Sequence, residues 1–132
     1  MIFRRRTLPA RLAGAQEGFE AVLIHVERAK ESVMAAVPVA RVAPRPLAEA
    51  LFEFDTELAA AREEMEGWNC EELSSEWTAC GRALDECLGS SERIRMEAAD
   101  LGFESFVAMI GELIAPLDAF EAAVDRFEEL KS

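Results

Sequence analysis

Asn69–Leu101 reads NCEELSSEWTACGRALDECLGSSERIRMEAADL. Within it Leu73, Trp77, Cys80, Leu84, Cys87, Ser91, Ile94, Ala98 and Leu101 recur in alternating steps of four and three. This is a heptad seam, narrower than the apolar stripe of an ordinary surface helix. Gly89, Ser90 and Ser91 could break it, since Gly costs about 1 kcal/mol in a helix interior and Ser also caps helices. A fresh helix, however, would have no reason to keep the old register, and Ile94, Ala98 and Leu101 stay in phase. The spacing predicts one continuous helix from Asn69 to Leu101.

The same beat runs through the rest of the chain. Upstream, a seam of Leu8, Leu12, Ala15, Phe19, Val22, Val26, Ala29, Val33 and Ala36 predicts a first helix from Thr7 or Leu8, with Pro9 tolerated in the opening turn. Leu47, Leu51, Phe54, Leu58, Ala61, Met65 and Trp68 predict a second helix from Pro46 or Leu47. Pro38, Pro44 and Pro46 mark residues 37–46 as an extended, proline-rich connector between the two. Gly67 suits a left-handed position after the second helix. Asn69 with Glu72 three residues on reads as a capping box opening the third.

Downstream, Gly102 suits a C-terminal cap with Phe103 as its hydrophobic contact. Phe103, Phe106, Ile110, Leu113, Leu117, Phe120, Val124 and Phe127 form the fourth seam, widened by Val107, Met109 and Ile114. Pro116 falls inside that helix and is expected to kink it near residues 112–115. Four helices with short or moderate links predict an all-α fold, an antiparallel up-down-up-down four-helix bundle with long heptad-patterned helices.

The 132 residues fit a single domain, 1–132, with 1–7 as a basic, flexible N-terminus. Three cysteines with no C-x-x-C spacing read as reduced thiols used as small core residues. No apolar run approaches the ~18 residues a membrane span requires. Pro9 and Arg11 interrupt any signal-peptide core, so a cytoplasmic protein is expected. The net charge of −12 is uneven: residues 1–46 carry eight Arg or Lys against four Glu, net +4, while 47–132 carry six against twenty-two acidic residues, net −16. An acidic body repels nucleic acid and anionic membranes, and neither is an expected partner. Either the charge serves solubility and internal attraction, or it offers an acidic face to a basic protein.

Chemistry in a bundle core requires ligands or proton carriers that point inward. Apart from thiols and the indoles of Trp68 and Trp77, the only polar seam residue is Ser91. A ferritin-like di-iron site needs two Glu-x-x-His pairs, and the chain has one histidine, His25. The all-α nucleoside triphosphate pyrophosphohydrolases hold magnesium on Glu-x-x-Glu and Glu-x-x-Asp pairs. Glu17/Glu20, Glu63/Glu66 and Glu97/Asp100 match those strings, but the first two pairs face away from the seam and Glu97 only flanks it. Magnesium needs such groups convergent. No catalytic residue, cofactor or metal site is therefore assigned.

What remains is the surface. Ile24, Phe52 and Met96 fall off the seams and are expected to be exposed, and Glu63, Glu64 and Glu66 make an acidic run. These six are the candidate partner-binding residues. The expected function is a non-enzymatic helical-bundle module for protein–protein interaction, binding a protein partner or forming a homo-oligomer. One alternative is an acidic antagonist, of the immunity-protein kind, that covers a basic or nucleic-acid-binding protein. The other is the magnesium-dependent pyrophosphohydrolase.

Overall fold

The computed structural model describes residues 7–40, 45–97 and 103–131, without the side chains of 38–40, 45–47, 103, 104 and 106. A 3-10 turn, Ala10–Leu12, leads into α1 (Ala13–Ala40). Next come α2 (Arg45–Glu63), two 3-10 turns (Met65–Trp68 and Glu71–Leu73), and α3 (Ser74–Glu97). The fourth rod consists of α4 (Phe103–Ile114), a 3-10 turn (Ala115–Asp118) and α5 (Ala119–Glu129). The fold is an all-α helical bundle of four rods, and no strand occurs among the described residues.

Cross-helix contacts set the directions. His25 of α1 meets Glu57 of α2, and Gly18, near the start of α1, meets Gly67, just past the end of α2. Arg62 reaches the Gly81 carbonyl and Asp85, whereas Asp55, earlier in α2, pairs with Arg95, later in α3. Cys87 faces the Leu113 carbonyl, and Arg126 of α5 approaches Glu76 of α3. In each set a higher number on one helix meets a lower number on the next, as in an antiparallel up-down-up-down arrangement.

The seams supply the core. Leu12, Phe19, Val22, Val26, Ala29, Val33 and Ala36 from the first rod are buried, as are Leu51, Phe54, Leu58, Ala61, Met65 and Trp68 from the second. From the third, Leu73, Cys80, Leu84, Cys87, Ser91 and Ile94 are buried, with Trp77 half-buried. At ~25 cal/mol per Å² of apolar surface, the burial of each large aliphatic or aromatic side chain contributes about 1.5–3 kcal/mol. Helix α3 is continuous through Gly89–Ser91, as the phase of Ile94 requires. Ala98, Leu101 and Gly102 lie outside the described residues, and Leu47, Phe103 and Phe106 outside the described side chains.

Four local expectations need correction. α1 continues through Pro38 to Ala40 and α2 starts at Arg45, so the link is 41–44, which lies outside the described residues, and not 37–46. A proline this near a helix C-terminus removes one hydrogen bond of the last turns, whereas Pro46, second in its helix, falls where the N–H would have no partner. No glycine among the described residues has a positive φ. Gly67 is small for a different reason, given below.

The capping box does not form. Asn69 donates from Nδ2 to Glu66 Oε2 at 3.3 Å, Cys70 precedes the opening 3-10 turn, and Glu72 pairs instead with Arg11 at the start of the first rod. Finally, Val124 is 39% exposed and Ala123 is buried in its place. Pro116 causes a change of pitch: the 3-10 turn around it advances three residues per turn, not 3.6. The following seam therefore runs Leu117, Phe120, Ala123, Phe127.

Ser91 is wholly buried and its Oγ has no hydrogen-bond partner among the described residues. A buried hydroxyl with no partner carries its desolvation cost uncompensated, about 1–3 kcal/mol. Ser91→Ala is accordingly expected to be neutral or stabilising in urea unfolding. A loss above about 1.5 kcal/mol would point to a buried hydrogen bond to this hydroxyl.

Candidate interaction surface

Apart from Val107 on α4, the large exposed apolar side chains among the described residues divide into two places. Asp55 and Arg95 pair at 3.1 Å between α2 and α3. Phe52 precedes Asp55 by one helical turn and Met96 follows Arg95, so in an antiparallel pair the two stand at a similar level on neighbouring helices. They are 66% and 80% exposed. Ile24, 52% exposed, stands apart from them on α1. The reason is His25, the next residue, which fixes the rotation of α1 by turning its ring to α2. Its Nδ1 lies 2.6 Å from Glu57 Oε2, and its Nε2 3.7 Å from Glu64. Ile24 consequently projects away from α2.

On that side α1 meets α5 through Phe19, whose ring packs against Phe120 and Phe127. A hollow between them is lined by Gln16, Phe19, Glu20, Leu23, Val124, Phe127 and Glu128. A second hollow along α1 is lined by Glu20, Leu23, Ile24, Glu27, Arg28 and Glu31. The two share Glu20 and Leu23, so Val124, Leu23 and Ile24 form one apolar strip with carboxylates at its edges. Among the described residues Glu20 and Glu31 have no basic partner, while Glu27 has only Lys30 at 3.8 Å.

Sequence reasoning placed Ile24 outside the core but missed Leu23 and Val124. A usable signal was present on α1. Glu17, Glu20, Ile24, Glu27, Glu31 and Met34 also alternate in steps of three and four, a second stripe on the solvent side, and Met34 is 53% exposed. Val124 was hidden because the phase shift at Pro116 is not readable from heptad counting.

The acidic run disperses. Glu63 is exposed, Glu64 turns toward His25, and Glu66 accepts a hydrogen bond from Asn69. Glu17, Glu20 and Glu97 are exposed as well, while Asp100 lies outside the described residues. Among the described residues no group of three or more His, Cys, Asp or Glu side chains converges on a point where a metal could sit. No described helix is long and apolar enough to cross a membrane.

All three cysteines are free. Burial first, and then the nearby Glu76, pushes the Cys80 thiol up to about 12; burial and Glu86 do the same to Cys87. Cys87 Sγ also lies 3.1 Å from the Leu113 carbonyl, to which it donates. Both are therefore protonated, inert core groups near neutrality, since the thiolate is the nucleophile. In the folded chain a thiol reagent at pH 8 is expected to label Cys70, which is half-buried, well before Cys80 and Cys87. Raised thiol pKa values also mean that the unfolded chain sheds these protons first. Stability is then unaffected by them below the unfolded value of 9.0 and falls as pH rises toward about 12. Equal labelling rates at all three thiols would contradict the packing.

No protein-family model, no curated protein and no solved structure matches the chain.

Proposed function

We propose that the chain is a non-enzymatic, self-associating protein–protein interaction module that binds through the outer face of α1 and α5. The observation that supports it is the Val124–Leu23–Ile24 strip with its carboxylate edge. Apolar strips on helical faces are binding features when they are contiguous and rimmed by polar groups, and a shallow trough between two helices suits a partner segment with matching apolar anchors. The carboxylate edge favours a basic occupant, and its attraction makes association fast and salt-sensitive.

The acidic-antagonist reading draws on the same carboxylates, with a foreign basic protein as the occupant. The dispersal of Glu63, Glu64 and Glu66 moves its contact surface to Glu20, Glu27 and Glu31. The pyrophosphohydrolase reading has no specific observation in its favour.

Light scattering after size-exclusion chromatography tests the reading. At tens of micromolar the wild-type chain is expected to have a mass above the 14.6 kDa of one copy, and the double variant Ile24→Glu/Val124→Glu to fall to a monomer while remaining folded by circular dichroism. A wild-type chain that stays monomeric, or an oligomer indifferent to the double variant, contradicts it.

A further inference from the structure

The strip demands an occupant that a face-to-face pairing of two copies cannot supply. Opposing two such faces would set the three carboxylates of Glu20, Glu27 and Glu31 on each copy against three like charges, with Arg28 the one cation lining the same hollow, in a chain that already carries a net charge of −12. Like charges brought together across an interface are a device for excluding a partner. The fitting occupant carries large apolar side chains next to several cations. One segment of this chain has that composition: Ile2-Phe3-Arg4-Arg5-Arg6. We propose that residues 2–6 of one copy dock on the α1–α5 strip of a second copy, with Ile2 and Phe3 against Leu23, Ile24 and Val124, and the arginines against Glu20, Glu27 and Glu31. This deepens the self-association proposed above and rests on it.

Reach favours the second copy over the chain's own strip. Residues 1–6 span at most about 22 Å when fully extended. Glu27 lies about 26 Å along the helix from Ala10, and Glu31 about 32 Å, at 1.5 Å per residue. In its own chain an arm that brings Phe3 level with Ile24, about 21 Å from Ala10, leaves Arg4, Arg5 and Arg6 on the Ala10 side of it, beside Glu20 and short of Glu27 and Glu31. A second copy can approach at any level, and a two-fold arrangement exchanges two arms at once, which doubles the contact without opposing the acidic faces. Guanidinium groups also suit the carboxylate edge through paired hydrogen bonds.

A charge exchange decides the matter, using the full chain with its own N-terminus. The first variant is Arg4→Glu/Arg5→Glu/Arg6→Glu and the second Glu20→Lys/Glu27→Lys/Glu31→Lys. Each alone is expected to self-associate at least tenfold more weakly than wild type in sedimentation experiments at low salt. Mixed in equal amounts they are expected to recover association, because the second variant's basic arm meets the first variant's acidic strip and the reverse pair is also complementary. Circular dichroism is expected to show each variant folded, since all six positions are off the core seams. If the wild type associates and Ile24→Glu/Val124→Glu abolishes this, but the arm variant associates normally or the mixture shows no recovery, the arm is not the occupant and the interaction reading survives. A wild-type chain that is monomeric throughout overturns both.

Discussion

Gly18→Ala is expected to destabilise the chain by about 2–3 kcal/mol, although alanine is the better helix former by about 1 kcal/mol. A Cβ on Gly18 would stand 2.3 Å from the Gly67 carbonyl oxygen and 2.5 Å from its carbon. These are backbone atoms, so relief requires the end of α2 to move away from α1, and that end holds Trp68. The two neighbouring substitutions provide the contrast. A Cβ on Gly67 meets the Gly18 Cα at 3.3 Å, a tight but adjustable contact, whereas a Cβ on Gly14 meets nothing within 4 Å. Gly67→Ala is expected to cost less than about 1 kcal/mol, a small strain of the overpacking kind. Gly14→Ala is expected to stabilise by up to about 1 kcal/mol, as helix propensity dictates. Thermal midpoints read the series: a drop of roughly 5–15 °C for Gly18→Ala is anticipated from the size of the domain. If Gly18→Ala were as stable as Gly14→Ala, the two backbones would not be in contact.

Trp68→Ala is expected to have the largest effect of any single core truncation, about 3–5 kcal/mol. Trp68 is fully buried at the turn between the second and third rods. Its ring stands edge-on to Phe19 with centroids 4.8 Å apart and tilted to Phe127 at 6.4 Å, while Phe19 and Phe127 are 5.0 Å apart. One side chain thus ties the first, second and fourth rods at the same end of the bundle. Aromatic pairs of this geometry contribute about 0.5–1.5 kcal/mol beyond their area. The indole N–H has no hydrogen-bond partner among the described residues, so Trp68→Phe gives up ring volume but no hydrogen bond, and a loss of only about 1–2 kcal/mol is expected from the smaller cavity. Trp77 differs, because its Nε1 donates to the Met65 carbonyl at 2.8 Å. Urea midpoints at constant slope are the appropriate measurement. A Trp68→Phe variant as damaged as Trp68→Ala would mean that the N–H matters in a way the packing does not account for.

The four seams were legible because a heptad repeat is a property of the helix itself, and each seam residue reports on the same face. The junctions were not, because their residues answer to distant partners. Gly67 has the right place for a left-handed cap, but its size is required by Gly18 on another rod. Asn69 and Glu72 have capping-box spacing, yet Arg11 draws Glu72 away. Pro38 looks like a stop signal, but α1 carries on through it for the rest of its last turn. Val124 and Ala123 exchange places because a 3-10 turn at Pro116 resets the phase, and sequence spacing assumes that phase to be constant.

Of the surface, the exposure of Ile24, Phe52 and Met96 could be read from their positions off the seams. Their grouping could not, since it depends on rotations fixed by cross-helix pairs such as His25 with Glu57 and Arg95 with Asp55. The acidic run was misleading for a similar reason. Neighbours in sequence on a helix end point in different directions, and Glu64 and Glu66 each find a separate partner.

The most direct test of binding through the outer face of α1 and α5 is a comparison of amide chemical shifts in dilute and concentrated solutions of the intact, isotope-labelled chain. Concentration-dependent shifts are expected at Glu20–Glu31 and around Val124, diminished by salt, with the α2–α3 face around Phe52 unchanged. Spectra that superpose at all concentrations, or shifts confined to the neighbourhood of Phe52 and Met96, would contradict it.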